Sequence, residues 1–241
     1  MIDLTNRVCL ITGAGHGIGR GVAEGFIKRG ALVVATSRHT PDIAGAAMNL
    51  AWDVGDLSQA KTVVDQVIAK FGRIDCFVAN AGIYPRVHWT DITLDDWRHV
   101  MGVNVDGMWA GSQEVARHMV ARGYGKIVLV TSVEPYMGTG AHIHYTTSKS
   151  AALGMTTALS RALGPSGIRV NALMPGAVRT ETELQQFPDQ DRVAKVLAER
   201  QCLPHRLDPV GIEPSFAFLC SAESDAVTGQ VLCVDHGFIH Y

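Results

Sequence analysis

The chain has 241 residues, with 21 Lys+Arg against 23 Asp+Glu, a net charge of -2, and 47% hydrophobic against 18% charged residues. That length suits one α/β domain of up to about 250 residues, and the low charge with ample apolar content excludes disorder. Balanced charge argues against nucleic acid as a partner, and without a signal peptide or an apolar run of about 18 residues a soluble, cytoplasmic protein is expected.

In chain order, short apolar runs bounded by Gly, Pro or Asp fall at 8–11, 32–35, 48–52, 76–79, 127–130, 168–173 and 231–234. Such runs read as strands buried on both faces. Between them, 17–29, 58–71, 94–121 and 141–163 carry apolar residues at helical spacing. Strand and helix alternating in this way predict a Rossmann-like, doubly wound parallel sheet of about seven strands with helices on both faces, in a single domain over 1–241. The polar stretch 182–206 interrupts the alternation and is expected to form a substrate-binding lid at the C-terminal ends of the strands. Cys9, Cys76, Cys202, Cys220 and Cys233 form no Cys-x-x-Cys and read as buried, reduced thiols.

Thr12-Gly13-Ala14-Gly15-His16-Gly17-Ile18-Gly19 follows the first strand and opens the first helix. Glycines here let the backbone approach a pyrophosphate, whose charge meets the helix N-terminal amides. Three glycines so spaced arise by accident about 0.25 times in a chain this rich in glycine, so the strand before and helix after carry the reading.

Tyr145 and Lys149 stand at i and i+4, one turn apart on one helix face. Ser132 lies just past the fifth strand, and Asn104 is an amide inside an apolar helix, where it needs a partner. A phenol titrates near about 10, and an adjacent ammonium favours phenolate, so Lys149 is expected to lower the pKa of Tyr145. Tyr145 would exchange a proton with a substrate oxygen that Ser132 also hydrogen-bonds.

These residues together resemble the short-chain dehydrogenase/reductase family. The resemblance implies that Ser132, Tyr145 and Lys149 are catalytic, that Asn104 supports a proton relay to Lys149, and that Lys149 and Tyr145 also meet the nicotinamide ribose. It implies cofactor contacts at Thr12, Gly13, Gly15, His16, Gly17, Ile18 and Gly19. Further cofactor contacts follow at Asp53-Val54 by the adenine, at Asn80-Ala81-Gly82, and at Pro175, Gly176, Val178 and Thr180 by the carboxamide. His236 departs from the family's usual Asp-Gly-Gly turn. Where NAD-preferring members carry an acid, this chain has Ser37, followed by Arg38. Arg38 suits a 2′-phosphate, so NADP is expected over NAD.

The reading is an NAD(P)-dependent oxidoreductase acting on a secondary alcohol or ketone, the alternative being a catalytically silent NADP-sensing protein of the same fold. The chain is too short for the added substrate domain of the extended epimerase-type relatives. No metal is expected, since His142 and His144 are splayed by about 200° on a helix and no compact ligand set appears. Glu134, His142, Trp89 and Tyr136 are the expected substrate residues, and the first two suggest a polar or hydroxylated small molecule. The resemblance also implies a homotetramer.

Overall fold

The computed structural model describes residues 2–240. Seven strands run parallel in one sheet: β1 (Val8–Thr12), β2 (Leu32–Ser37), β3 (Met48–Ala51), β4 (Cys76–Ala79), β5 (Gly125–Val130), β6 (Ile168–Pro175) and β7 (Val231–Val234). Their spatial order is β3-β2-β1-β4-β5-β6-β7. The order reverses between β1 and β4, which opens a crevice at their C-terminal ends.

Side-chain alternation along each strand builds two cores. Cys9, Ile11, Val33, Ala35, Cys76 and Val78 point to the face covered by α1 (Gly17–Lys28) and α9 (Pro209–Cys220), where they meet Phe26 and Phe216. Val8, Leu10, Val34, Phe77 and Ile127 point to the other face, beneath α2 (Gln59–Phe71), α4 (Gly107–Arg122) and α6 (Ile143–Leu163). Both faces are therefore apolar, which is why the strands read as continuous hydrophobic runs.

Three features differ from the sequence reading. The stretch 94–121 is not one helix: α3 (Leu94–Met101) and α4 are joined by a π-helical turn, Gly102–Asp106. That wider turn carries Asn104, fully buried, onto the backbone of Ile83, to which it donates at 2.9 Å and from which it accepts at 2.8 Å. Helix α9 is hidden in the sequence by Pro209, Gly211 and Pro214. Pro209 opens the helix, where no N–H is needed, and Asp208 caps it by accepting from Gly211 N at 2.7 Å. The thiols are all free, but only Cys9, Cys76 and Cys220 are buried, whereas Cys202 is exposed and Cys233 half-buried, because β7 is an edge strand and Cys202 sits on a surface turn.

The 182–206 stretch carries two short helices, α7 (Glu181–Gln186) and α8 (Gln190–Arg200), with α5 (Glu134–Met137) the remaining short helix near the crevice. An ion pair locks the base of α7: Arg206 meets Glu183 at 2.8 Å, and Gln190 donates to the same carboxylate at 3.2 Å. His236 adopts a left-handed φ of 59°, the backbone shape the usual glycine would take, and its Nδ1 faces the carbonyl of His205 at 2.9 Å. Among the described residues no helix is long and apolar enough to cross a membrane.

Candidate active site

At the crevice floor, the β1 and β4 loops are bound to each other. Thr12 Oγ1 accepts from the backbone of Asn80 and Ala81, both at 3.1 Å, while Asn80 Nδ2 donates to the carbonyls of Thr12 at 2.9 Å and Gly13 at 3.2 Å. Thr12 and Asn80 thus spend their side chains on building the loop. Gly19 has a packing role too, since a Cβ there would lie 2.3 Å from the carbonyl oxygen of Gly13. Gly13, at φ 67°, would drive a Cβ to 2.9 Å from Ala81 Cα.

The remaining loop fits a dinucleotide. A Cβ on Gly15 would reach within 3.0 Å of Ser37 Oγ, and one on Gly17 within 3.3 Å of Thr180, so glycine keeps this cradle open. His16 caps α1 with extended backbone and no side-chain bond, leaving the helix N-terminus to an outside acceptor. That acceptor is the Glu181 carboxylate, which takes the Gly17 N–H at 3.0 Å. The amide is therefore placed to receive negative charge. Ser37 donates to the carbonyl of His39 at 2.5 Å, and Arg38, His39 and His16 form an exposed basic rim beside it. Asp53 binds its own turn, accepting from Gly55 N at 3.0 Å, and Val54 is buried below it. Pro175 and Gly176 join β6 to β7 through Gly176 N to Val234 O at 3.0 Å, and Val178 pairs with Leu207. Thr180 caps α7, accepting from Glu183 N at 3.2 Å.

Beyond β5, Ser132 and Tyr145 are brought together, with the Ser132 hydroxyl hydrogen-bonding the phenol. Lys149 is buried on the same helix face, its Nζ donating to the Val130 carbonyl at 2.7 Å and lying 5.8 Å from the Tyr145 ring centroid. A methyl group on Gly82 would stand 3.3 Å from both Lys149 Nζ and Asn104 Oδ1, which puts lysine and amide on one small space. Asn104 further donates to Ser148 Oγ at 2.9 Å, and Ser148 to the Tyr145 carbonyl at 2.7 Å, fixing the first turns of α6.

The electrostatics correct one expectation. Burial pushes Tyr145 up to about 12, and the hydrogen bond from Ser132, which lowers it, does not offset that burial. The lysine is held against a backbone carbonyl, and burial brings it down to about 8. The phenol is therefore protonated at neutral pH.

Of the expected substrate residues, His142 lies edge-on to Tyr145 at 6.0 Å and is buried with Nδ1 unpartnered. Burial lowers its pKa. Glu134 is half-buried, donates its backbone N–H to Ser132 Oγ at 3.2 Å, and accepts from Thr139 Oγ1. Tyr136 is half exposed at the rim, and Trp89 stands apart, 64% exposed, with the His88 ring at 6.0 Å. Sequence reasoning missed Tyr84, whose ring lies 5.8 Å from that of Tyr145 and whose phenol hydrogen-bonds Thr180 and Thr182. It missed Arg86 and Glu181 as well, whereas Gln186 lies in the stretch expected to form the lid. The signal for Tyr84 and Arg86 was their place directly after Asn80-Ala81-Gly82. Among the described residues no group of three or more His, Cys, Asp or Glu is placed to hold a metal ion.

Residues 13–239 match the family described as enoyl-(acyl carrier protein) reductase. The chain is 32% identical over 250 residues to 2-dehydro-3-deoxy-D-gluconate 5-dehydrogenase of Dickeya dadantii, covering 98% of this chain and 97% of that one. It is 33% identical to the 3-oxoacyl-[acyl-carrier-protein] reductase FabG of Thermotoga maritima, covering 98% and 99%. Among solved structures, a gluconate 5-dehydrogenase from Burkholderia cenocepacia in complex with NADP and tartrate superposes with a TM-score of 0.92 at 34% identity, covering 98% and 96%. Likeness of this extent, carried through the whole length of each relative, settles the matter: the chain belongs to the short-chain dehydrogenase/reductase family of NAD(P)-dependent oxidoreductases, which act on the alcohol and carbonyl groups of small molecules.

Proposed function

We propose that the protein interconverts a polar secondary alcohol and its ketone using NADP, with Tyr145 as the acid/base. The observation that carries this is the Ser132–Tyr145 hydrogen bond beside buried Lys149, at the end of β5 and within reach of the open glycine loop. The dinucleotide, when bound, supplies or accepts the hydride. Gly15, His16, Gly17 and Ile18 would hold its pyrophosphate, with Ser37 and Arg38 at the adenosine ribose and Thr180 at the carboxamide end. A phenol kept protonated at neutral pH is in the form that donates to a substrate oxygen during reduction. Ser132 hydrogen-bonds the same oxygen as charge builds on it. Lys149, within one turn, supplies positive charge behind the phenol, and Asn104 fixes the backbone that frames it.

Ser37 and Arg38 in place of an acid favour NADP, and the NADP-bound Burkholderia structure supports that choice. Trp109 and Ile143, 43% and 41% exposed on α4 and α6, give those helices apolar outer faces suited to pairing in a homotetramer. A cytoplasmic location follows from the same reading. Tyr145→Phe tests the chemistry: turnover should fall by at least about a hundredfold while cofactor affinity is kept. Unchanged turnover would remove the acid/base role.

A further inference from the structure

The segment from Asn80 to Val87 crosses the mouth of the active site and is tied down at both walls. Val87 N donates to the Ala141 carbonyl at 3.2 Å, just before α6, and Gln186 Nε2 of α7 donates to the Tyr84 carbonyl at 3.4 Å. Arg86 lies between these ties. Its guanidinium stacks on the Phe187 ring at 4.7 Å, and among the described residues no carboxylate stands within ion-pairing distance of it. Stacking covers the face of a guanidinium and leaves its edge N–H groups free for a planar anion.

Closer to Tyr145 the polar groups are of the opposite kind. His142 Nδ1 and Gln186 Oε1 are both buried without a partner, and Glu134 binds Ser132 Oγ through its backbone N–H while its carboxylate accepts from Thr139. His142 hydrogen-bonds the backbone of Pro85, next to Arg86 in the chain, and feels the charges of both Glu134 and Arg86. Buried polar atoms without partners are rare because each forfeits a hydrogen bond with water, and here one lies on the ring beside Tyr145 and the other on a side chain that donates to the Tyr84 carbonyl. The chemical complement of such a surface has several hydroxyl donors around the reacting carbon and an anion at the far end.

We infer that the substrate is a polyhydroxy carboxylate, its carboxylate bound by the edge of Arg86 and its hydroxyls received by His142 and Gln186. This rests on the oxidoreductase reading above and selects a sugar-acid-like substrate over an acyl thioester. Arg86 is then the residue that separates acids from neutral polyols of the same length.

The test is steady-state kinetics with NADP on D-gluconate and on D-glucitol, its neutral counterpart, for the wild type, Arg86→Ala and Arg86→Lys. The wild type should favour gluconate in kcat/KM by tenfold or more. In Arg86→Ala that preference should collapse, chiefly through a KM for gluconate raised about ten- to a hundredfold, in line with loss of charge-assisted hydrogen bonds. Arg86→Lys should recover part of it, because the charge returns without the fork. Equal losses on both substrates, or no change on either, would overturn the assignment of Arg86. A wild type that ignores gluconate yet reduces other ketones would overturn the substrate class and leave the oxidoreductase reading standing. Absence of hydride exchange with any alcohol or ketone would overturn that reading itself.

Discussion

Glu181 occupies the position at which the proposed function needs the protein to receive a pyrophosphate. Its carboxylate takes the Gly17 N–H at 3.0 Å, so cofactor binding must displace one anion with another. Glu181→Gln removes the charge and keeps an oxygen able to accept the same N–H. A carboxylate at a helix N-terminus gains about 0.3–1 kcal/mol, up to about 2 when partly buried, and exposed Glu181 belongs at the lower end. Removing that competition, together with residual repulsion of the incoming phosphates, should tighten NADP binding by about 1 kcal/mol, roughly fivefold in Kd. Isothermal titration calorimetry on both proteins measures this directly. The gain should shrink as salt is raised, since exposed charges are screened over about 10 Å at 0.1 M. Adenosine 2′-monophosphate, which has no phosphate at the 5′ position, should bind both proteins alike. Weaker or unchanged NADP binding by Glu181→Gln would refute the idea that this carboxylate and the pyrophosphate seek the same amide.

With Tyr145 pushed up to about 12, oxidation, which needs the phenolate, should quicken as pH rises. Reduction should hold steady and then decline above about pH 8 as Lys149 loses its proton; flat profiles in both directions between about pH 6 and 9 would contradict this. Gly19→Ala should destabilise the fold by about 1–3 kcal/mol, because its Cβ would meet the Gly13 carbonyl oxygen at 2.3 Å, and thermal unfolding should show a fall of roughly 2–4 °C per kcal/mol. By contrast Gly102→Ala, at φ -58° with nothing within 4 Å of the new methyl, should leave Tm unchanged or raise it slightly. Arg38→Ala should weaken NADPH far more than NADH in kcat/KM, and a wild type that prefers NADH would defeat the cofactor choice.

Much of the molecule was legible in its sequence because the relevant signals are local. Strands buried on both faces announce themselves as apolar runs, and Tyr145 and Lys149 reveal their shared face through helical spacing alone. Interactions between distant segments left no such trace. Nothing at Glu181 foretells a bond to Gly17, 164 residues earlier, and Arg86 and Phe187 meet only after α7 has folded across the crevice. The pKa of Tyr145 was misjudged for a related reason. Spacing placed the ammonium nearby, but it could not show that the Val130 carbonyl holds it or that burial governs the phenol. The break between α3 and α4 was hidden because a π turn preserves the apolar pattern while shifting its phase.

The mutual fastening of Thr12 and Asn80 bears on how such an enzyme could change its diet. Because each of these side chains already bonds the backbone of the other's loop, the floor beneath the cofactor keeps its shape whichever molecule enters above it. Selectivity is then left to the walls, in the segment around Arg86 and in α7. Substitutions there could retune the substrate by small steps while the hydride-transfer geometry passes unaltered from one specificity to the next.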